Sequence, residues 1–89
     1  MKTVRLRISG KVQGVFFRAG AKERAEQVGV TGWVRNTRDH GVEVLATGDQ
    51  QGVGAFVAWC RSGPPKAVVE AVEILEEPLQ VFERFEIVR

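Results

Sequence analysis

The chain has a single cysteine, Cys60, and a single histidine, His40, among its 89 residues. One cysteine excludes an internal disulfide, so a reducing compartment suits this chain better than an export route. One histidine, with no second histidine or cysteine near it, excludes the usual zinc sites, and Arg38-Asp39-His40-Gly41 reads as a solvated turn. Cys60 falls on the apolar stripe of a helix, where a thiol behaves as a small hydrophobe rather than a nucleophile. No apolar run approaches the length of about 18 residues that a membrane span needs. The start, Met1-Lys2-Thr3-Val4-Arg5, turns polar too early for a signal peptide. Runs of like charge are missing too: 13 Lys and Arg are interleaved with 11 Asp and Glu, a net charge of +2, which disfavours nucleic-acid binding through a basic stripe. The expectation is a cytoplasmic protein with neither a membrane nor a nucleic acid as partner. No repeat, linker or low-complexity segment divides the chain, so residues 1–89 are expected to form one domain. A chain this short buries only about 60–65% of its unfolded surface, which obliges every element to contribute to one core.

What is present is a regular succession of periodic segments. Val4, Leu6 and Ile8 alternate with Thr3, Arg5 and Arg7, which predicts a strand over Thr3–Ser9 buried on one side. Ala21, Ala25 and Val28 follow helical spacing and predict a helix from Phe17 to Val28, with Gly29 as its left-handed cap. Thr31–Thr37 and Val42–Thr47 read as two strands of a hairpin, with Gly41 expected to supply a positive φ between them. Asp49 opens a second helix whose stripe is Val53, Phe56, Val57 and Cys60, and Gly63-Pro64-Pro65 ends it. A strand over Ala67–Leu75 follows, broken by Glu76-Glu77-Pro78, and Phe82–Val88 alternates again. Strand, helix, strand, strand, helix, strand, with one short extra strand, predicts an α+β sandwich of the ferredoxin-like βαββαβ kind, an antiparallel sheet with two helices on one face.

Between the first strand and the first helix lie Gly10, Lys11, Val12, Gln13, Gly14, Val15, Phe16, Phe17 and Arg18. Gly10 and Gly14 allow backbone dihedrals closed to other residues, the first amides of a helix lack internal acceptors, and Arg18 offers a guanidinium fork. Converging N–H groups at a helix N-terminus make an anion cradle, so a phosphoryl group is expected here.

The run Ile8-Ser9-Gly10-Lys11-Val12-Gln13-Gly14-Val15-Phe16-Phe17-Arg18 resembles the first signature of the acylphosphatases, an apolar residue followed by Gly-x-Val-Gln-Gly-Val-x-Phe-Arg. Gly32-Trp33-Val34-Arg35-Asn36, then Val42-Glu43 and Gly48, resembles the second. The chain departs from the family pattern in one place: His40 stands where a glycine is usual, and the glycine comes one residue later, at Gly41. The resemblance spans essentially the whole chain and implies the same fold. It implies that Arg18 binds phosphate together with the backbone amides of Gln13, Gly14, Val15, Phe16 and Phe17. It also implies that Asn36, the only asparagine, orients the attacking water. In the expected topology the first two strands are parallel with the third between them. Their C-terminal ends then share one rim about 10 Å apart, with the loop and Asn36 facing each other across it.

The shortage of nucleophiles, bases and metal ligands fits such a reaction. A mixed carboxylic-phosphoric anhydride needs only positioning and charge stabilisation, because its leaving carboxylate needs no proton at pH 7. The reading is therefore a monomeric acylphosphatase with no metal and no cofactor, acting on a small-molecule acyl phosphate. An anion-binding module that keeps the cradle without turnover remains open from the residues. RNA binding on the open sheet face is disfavoured, since Arg5, Arg7, Glu43, Leu45 and Thr47 there include no aromatic residue and suggest cross-strand ion pairs.

Overall fold

The computed structural model describes residues 1–89. Its elements are β1 (Lys2–Lys11), α1 (Phe17–Val28), β2 (Thr31–Asn36), β3 (Val42–Gly48), α2 (Gln50–Ser62), β4 (Val68–Glu77) and β5 (Phe85–Ile87). The sheet order is β4-β1-β3-β2-β5. All pairs are antiparallel except β2 with β5, which run parallel. The sheet is thus mixed rather than wholly antiparallel, and the extra strand accounts for the difference.

The alternation of β1 determines which side is core. Val4, Leu6 and Ile8 are opposite Ala46, Val44 and Val42 of β3, and this apolar face receives Ala21 and Ala25 of α1 and Val53, Phe56 and Cys60 of α2. Asp49 caps α2 by accepting a hydrogen bond from the Gly52 amide at 2.6 Å. Gly29 ends α1 in the left-handed conformation at φ 74°. Both caps stand where the sequence places them.

β3 is central and buried on both sides. Across from the core its Glu43, Leu45 and Thr47 are only 6%, 2% and 2% exposed, so strand alternation no longer separates wet from dry. Thr47 is covered because β4 and β5 lie at opposite edges, which obliges residues 78–84 to cross the open face. Thr47 Oγ1 donates to the Gln80 carbonyl at 2.9 Å, and the Gln80 amide donates to Thr3 Oγ1 at 2.9 Å. The two threonine hydroxyls meet at 2.7 Å. At the far side Phe85 is driven into the core against Phe56, ring centroids 5.6 Å apart, and fixes β5 beside β2.

Three expectations need correction. The positive φ of the β2–β3 turn belongs to His40, at 69°, not to Gly41. Gly41 is required for a different reason: a Cβ there would stand 2.7 Å from the Ile8 carbonyl oxygen of β1. β1 runs on through Gly10 and Lys11 with a register shift at Ser9/Gly10. β4 continues through Glu76 and Glu77 because both pair with β1 and Glu77 accepts from Arg5 Nε at 3.2 Å, so only Pro78 breaks the strand.

Candidate active site

The loop after β1 is held from below by Val12, Val15 and Phe17, which are 1%, 5% and 1% exposed. Phe17 rests on Trp59 with ring centroids 5.3 Å apart. With these side chains turned inward, the backbone itself is presented outward. Gly14 and Phe16 are both left-handed, at φ 74° and 65°, and such alternation turns successive amides toward a common concavity. The amides of Gln13, Gly14, Val15 and Phe16 donate to no backbone acceptor. No side chain caps α1, and no acidic residue lies in its first turn. The partial positive charge of the helix start is therefore unopposed. For Phe16 the left-handed conformation costs about 1–2 kcal/mol relative to an ordinary one.

Arg18 stands in the first turn of α1, half-buried, and takes part in none of the ion pairs of the molecule. Asn36 ends β2 on the same side as the core residue Val34, opposite to Arg35. It is half-buried, and its Oδ1 is fully buried with no hydrogen-bond partner. A buried carbonyl oxygen left unpaired costs about 1–3 kcal/mol, so this acceptor is held ready at the expense of stability.

These groups line one cavity of ≈ 280 Å³, formed by Val12, Gly14, Phe16, Phe17, Arg18 and Asn36. Ala19, Ile87 and Arg89 complete its wall. Of the residues expected at the site, Gln13 and Val15 do not line it. Val15 is in the core, and the Gln13 side chain turns toward the β2–β3 turn.

That side chain is the feature the sequence reading missed. Gln13 Nε2 donates to the carbonyls of Thr37 at 2.9 Å and Gly41 at 2.7 Å. The Thr37 amide also donates to the Gly41 carbonyl at 3.0 Å, and Thr37 Oγ1 accepts from the Gly41 amide at 3.0 Å. The loop is thereby stapled to the peptide next to Asn36, whose own side chain has no such tether. The only signal in the sequence is a long amide side chain amid glycines and apolar residues. Ile87 and Arg89 were missed as well, and they arrive through β5: Val34 pairs with Ile87, and two positions farther on lie Asn36 and Arg89.

No carboxylate, thiol or histidine lines this cavity. His40 is exposed in its turn. The neighbouring Asp39 carboxyl accepts from the Thr37 hydroxyl, and that bond holds it below its ordinary range. Burial pushes the Cys60 thiol well up, with no cation beside it to draw out a thiolate. No three His, Cys, Asp or Glu side chains gather closely enough to hold a metal ion. A larger hollow of ≈ 570 Å³ lies among Arg7, Arg35, Glu43 and Glu73. Two of its three arginines, Arg7 and Arg35, are already matched to carboxylates, and the exposed Arg38 shares the hollow with the Asp39, Glu43 and Glu73 carboxylates, so size alone does not make it the site.

The arrangement can cradle a phosphoryl group on backbone amides and a guanidinium, with a neutral acceptor nearby. Comparison with known proteins points the same way. The acylphosphatase family profile matches residues 4–87. A protein of Rubrobacter xylanophilus named acylphosphatase is 54% identical over 77 residues, which are 86% of this chain and 70% of the relative. One of Methylococcus capsulatus with the same name is 49% identical over 76 residues, 85% of this chain and 83% of its own. The crystal structure of an acylphosphatase from Bacillus subtilis superimposes with a TM-score of 0.96, 34% identity and full coverage of both chains.

Proposed function

From the premise that this chain belongs to the acylphosphatase family and is an enzyme that hydrolyses acyl phosphates, we propose how its residues divide that work. The phosphoryl group is bound by the amides of Gln13, Gly14, Val15, Phe16 and Phe17 and by the Arg18 guanidinium. Each charge-assisted hydrogen bond contributes about 1.5–3 kcal/mol, and those that tighten as charge develops on the equatorial oxygens lower the barrier. A water molecule oriented by the Asn36 side-chain amide, whose Oδ1 must turn toward the cavity to accept from it, attacks phosphorus. The new P–O bond forms as the bond to the acyl oxygen breaks, the electron pair leaves with the carboxylate, and the water proton passes to a phosphate oxygen.

One observation carries this reading: a buried acceptor with no partner, on Asn36, lines the same cavity as a guanidinium with no counterion, on Arg18. An amide is too weak a base to remove a proton at neutral pH, so its role is orientation. The leaving carboxylate requires no general acid, which matches a cavity without an acidic side chain. The reaction needs no metal in this scheme.

We take the enzyme to act as a cytoplasmic monomer that does not bind nucleic acid. The edge strand β4 carries Glu70, Glu73, Glu76 and Glu77, so a second copy added there would bring carboxylates together. Hydrolysis of benzoyl phosphate in excess EDTA tests the scheme. The native protein is expected to retain its rate, while Arg18→Ala and Asn36→Ala each lose about a hundredfold or more. Loss of native activity in EDTA, or full activity in either variant, refutes it. Sedimentation at micromolar concentration tests the monomer.

A further inference from the structure

The loop and Arg18 account for the phosphate half of the substrate and leave the acyl half without a recognition element. Phe16 is the residue whose placement folding does not explain. Its backbone is left-handed at φ 65° and ψ 27°, a conformation that glycine reaches freely and a β-substituted residue does not. Gly14, two residues earlier, shows the loop using glycine for the same purpose. A phenylalanine at such a position normally recovers the cost by burying its ring. Here the ring is 79% exposed, whereas its neighbours Val15 and Phe17 are 5% and 1% exposed and hold the loop to the core.

The ring also stands in a particular place. Phe16 lines the cavity that holds Arg18 and Asn36, and its side chain is the only large apolar one among the lining residues that is open to solvent. Val12 and Phe17 form the covered floor beneath the loop. With the phosphoryl group drawn to the loop amides, the acyl substituent must point out of the cavity toward solvent, and an apolar surface there is useful only to what emerges.

Resting on the acylphosphatase reading above, we propose that the Phe16 ring is the contact surface for the acyl group and gives the enzyme a preference for aryl and bulky apolar acyl phosphates over short ones. An aromatic acyl group covers the ring and loses apolar surface of its own to it. An acetyl group is too short to gain much.

The experiment compares kcat/KM for benzoyl phosphate and acetyl phosphate in the native protein, Phe16→Asn and Phe16→Leu. Asparagine tolerates the left-handed conformation and removes the ring, while leucine keeps apolar bulk. The benzoyl-to-acetyl ratio is expected to fall about tenfold in Phe16→Asn, mainly through KM for benzoyl phosphate, and to recover at least partly in Phe16→Leu. A ratio that stays within twofold of native in Phe16→Asn, or a Phe16→Leu ratio no better than that of Phe16→Asn, overturns the proposal while leaving the acylphosphatase reading intact. A native protein inert toward both substrates overturns that reading, and this inference falls with it.

Discussion

The two faces of the sheet treat arginine in opposite ways. On the open face Glu43, 6% exposed, accepts from Arg5 Nη1 at 2.9 Å and Arg35 Nε at 2.9 Å, with Arg7 Nε at 3.8 Å. Arg5 and Arg35 lie over the Trp33 ring, 5.9 and 5.5 Å from its centroid. Burial alone would push the Glu43 carboxyl upward, but the two arginine hydrogen bonds together outweigh it and hold the carboxyl below its ordinary range. The bond to Glu43 in turn raises Arg5. At the helix rim Arg18 has no counterion, lies over no aromatic ring as Arg5 and Arg35 do, and sits among amides that have no backbone acceptor. The richer cluster of cations is the neutralised one, so density of positive charge does not locate an anion site. Charge left unmatched beside unpaired donors does.

The strongest way to break this contrast is at the rim. Arg18→Ala and Asn36→Ala are each expected to lower kcat/KM about a hundredfold or more without lowering the urea midpoint, because neither side chain contributes an ion pair or a hydrogen bond to the fold, and Asn36→Ala should raise it by removing the unpaired acceptor. Glu43→Gln breaks the opposite face. It leaves Arg5 and Arg35 without their shared carboxylate, and equilibrium urea unfolding should show a loss of about 2–3 kcal/mol, less than for a fully buried pair because both arginines reach solvent. Its kcat should stay within about twofold, since Glu43 does not line the cavity. Equal loss of activity from Glu43→Gln would mean that the two faces are coupled.

Gln13→Glu sharpens the contrast at the seam between loop and turn. It replaces a donor to two carbonyls by a carboxylate, and kcat should fall about tenfold as the Asn36–Thr37 peptide shifts against the loop. Partial recovery on acidification, as the introduced carboxyl regains a proton to donate, would separate a positioning role from general loosening. The smallest effect expected is the pH dependence of stability from Glu43. Its folded pKa lies below its ordinary value of 4.5, so the unfolded chain binds more protons in that window. Its contribution is therefore complete above about pH 5 and is lost as pH falls through the folded value. Acid titration of stability should weaken in Glu43→Gln, while the rate of the remaining folded enzyme stays flat wherever the substrate phosphate does not titrate.

Contiguous features were legible in the sequence. The cradle occupies consecutive residues between two periodic segments, so its glycines, the helix start and Arg18 could be read from local order, while Asn36 was singled out only by the resemblance of its run to the second signature. Features that depend on distant chain were not. Ile87 reaches the cavity only because residues 78–84 cross the open face and set a three-residue strand beside β2, and nothing in that strand's own sequence names its partner. The Gln13 staple depends on where the turn carbonyls lie once three strands have paired. His40 takes the left-handed position because Gly41 is already committed to the close approach of β1, a contact between strands that local turn preferences do not record.

The cavity wall is drawn from the beginning, middle and end of the chain: the loop after β1, Asn36, and Ile87 with Arg89. No partly folded species holds all three. Phosphate should therefore bind the complete native state alone and stabilise it by mass action, by about 2.7 kcal/mol at a hundred times its dissociation constant, with a corresponding rise in melting temperature. β1 must find both β3 and β4 across long loops before this site exists, so folding should be slow for the chain length. Added phosphate should slow unfolding and leave the folding rate almost untouched. The ligand acts as a latch applied after assembly, not as a template for it.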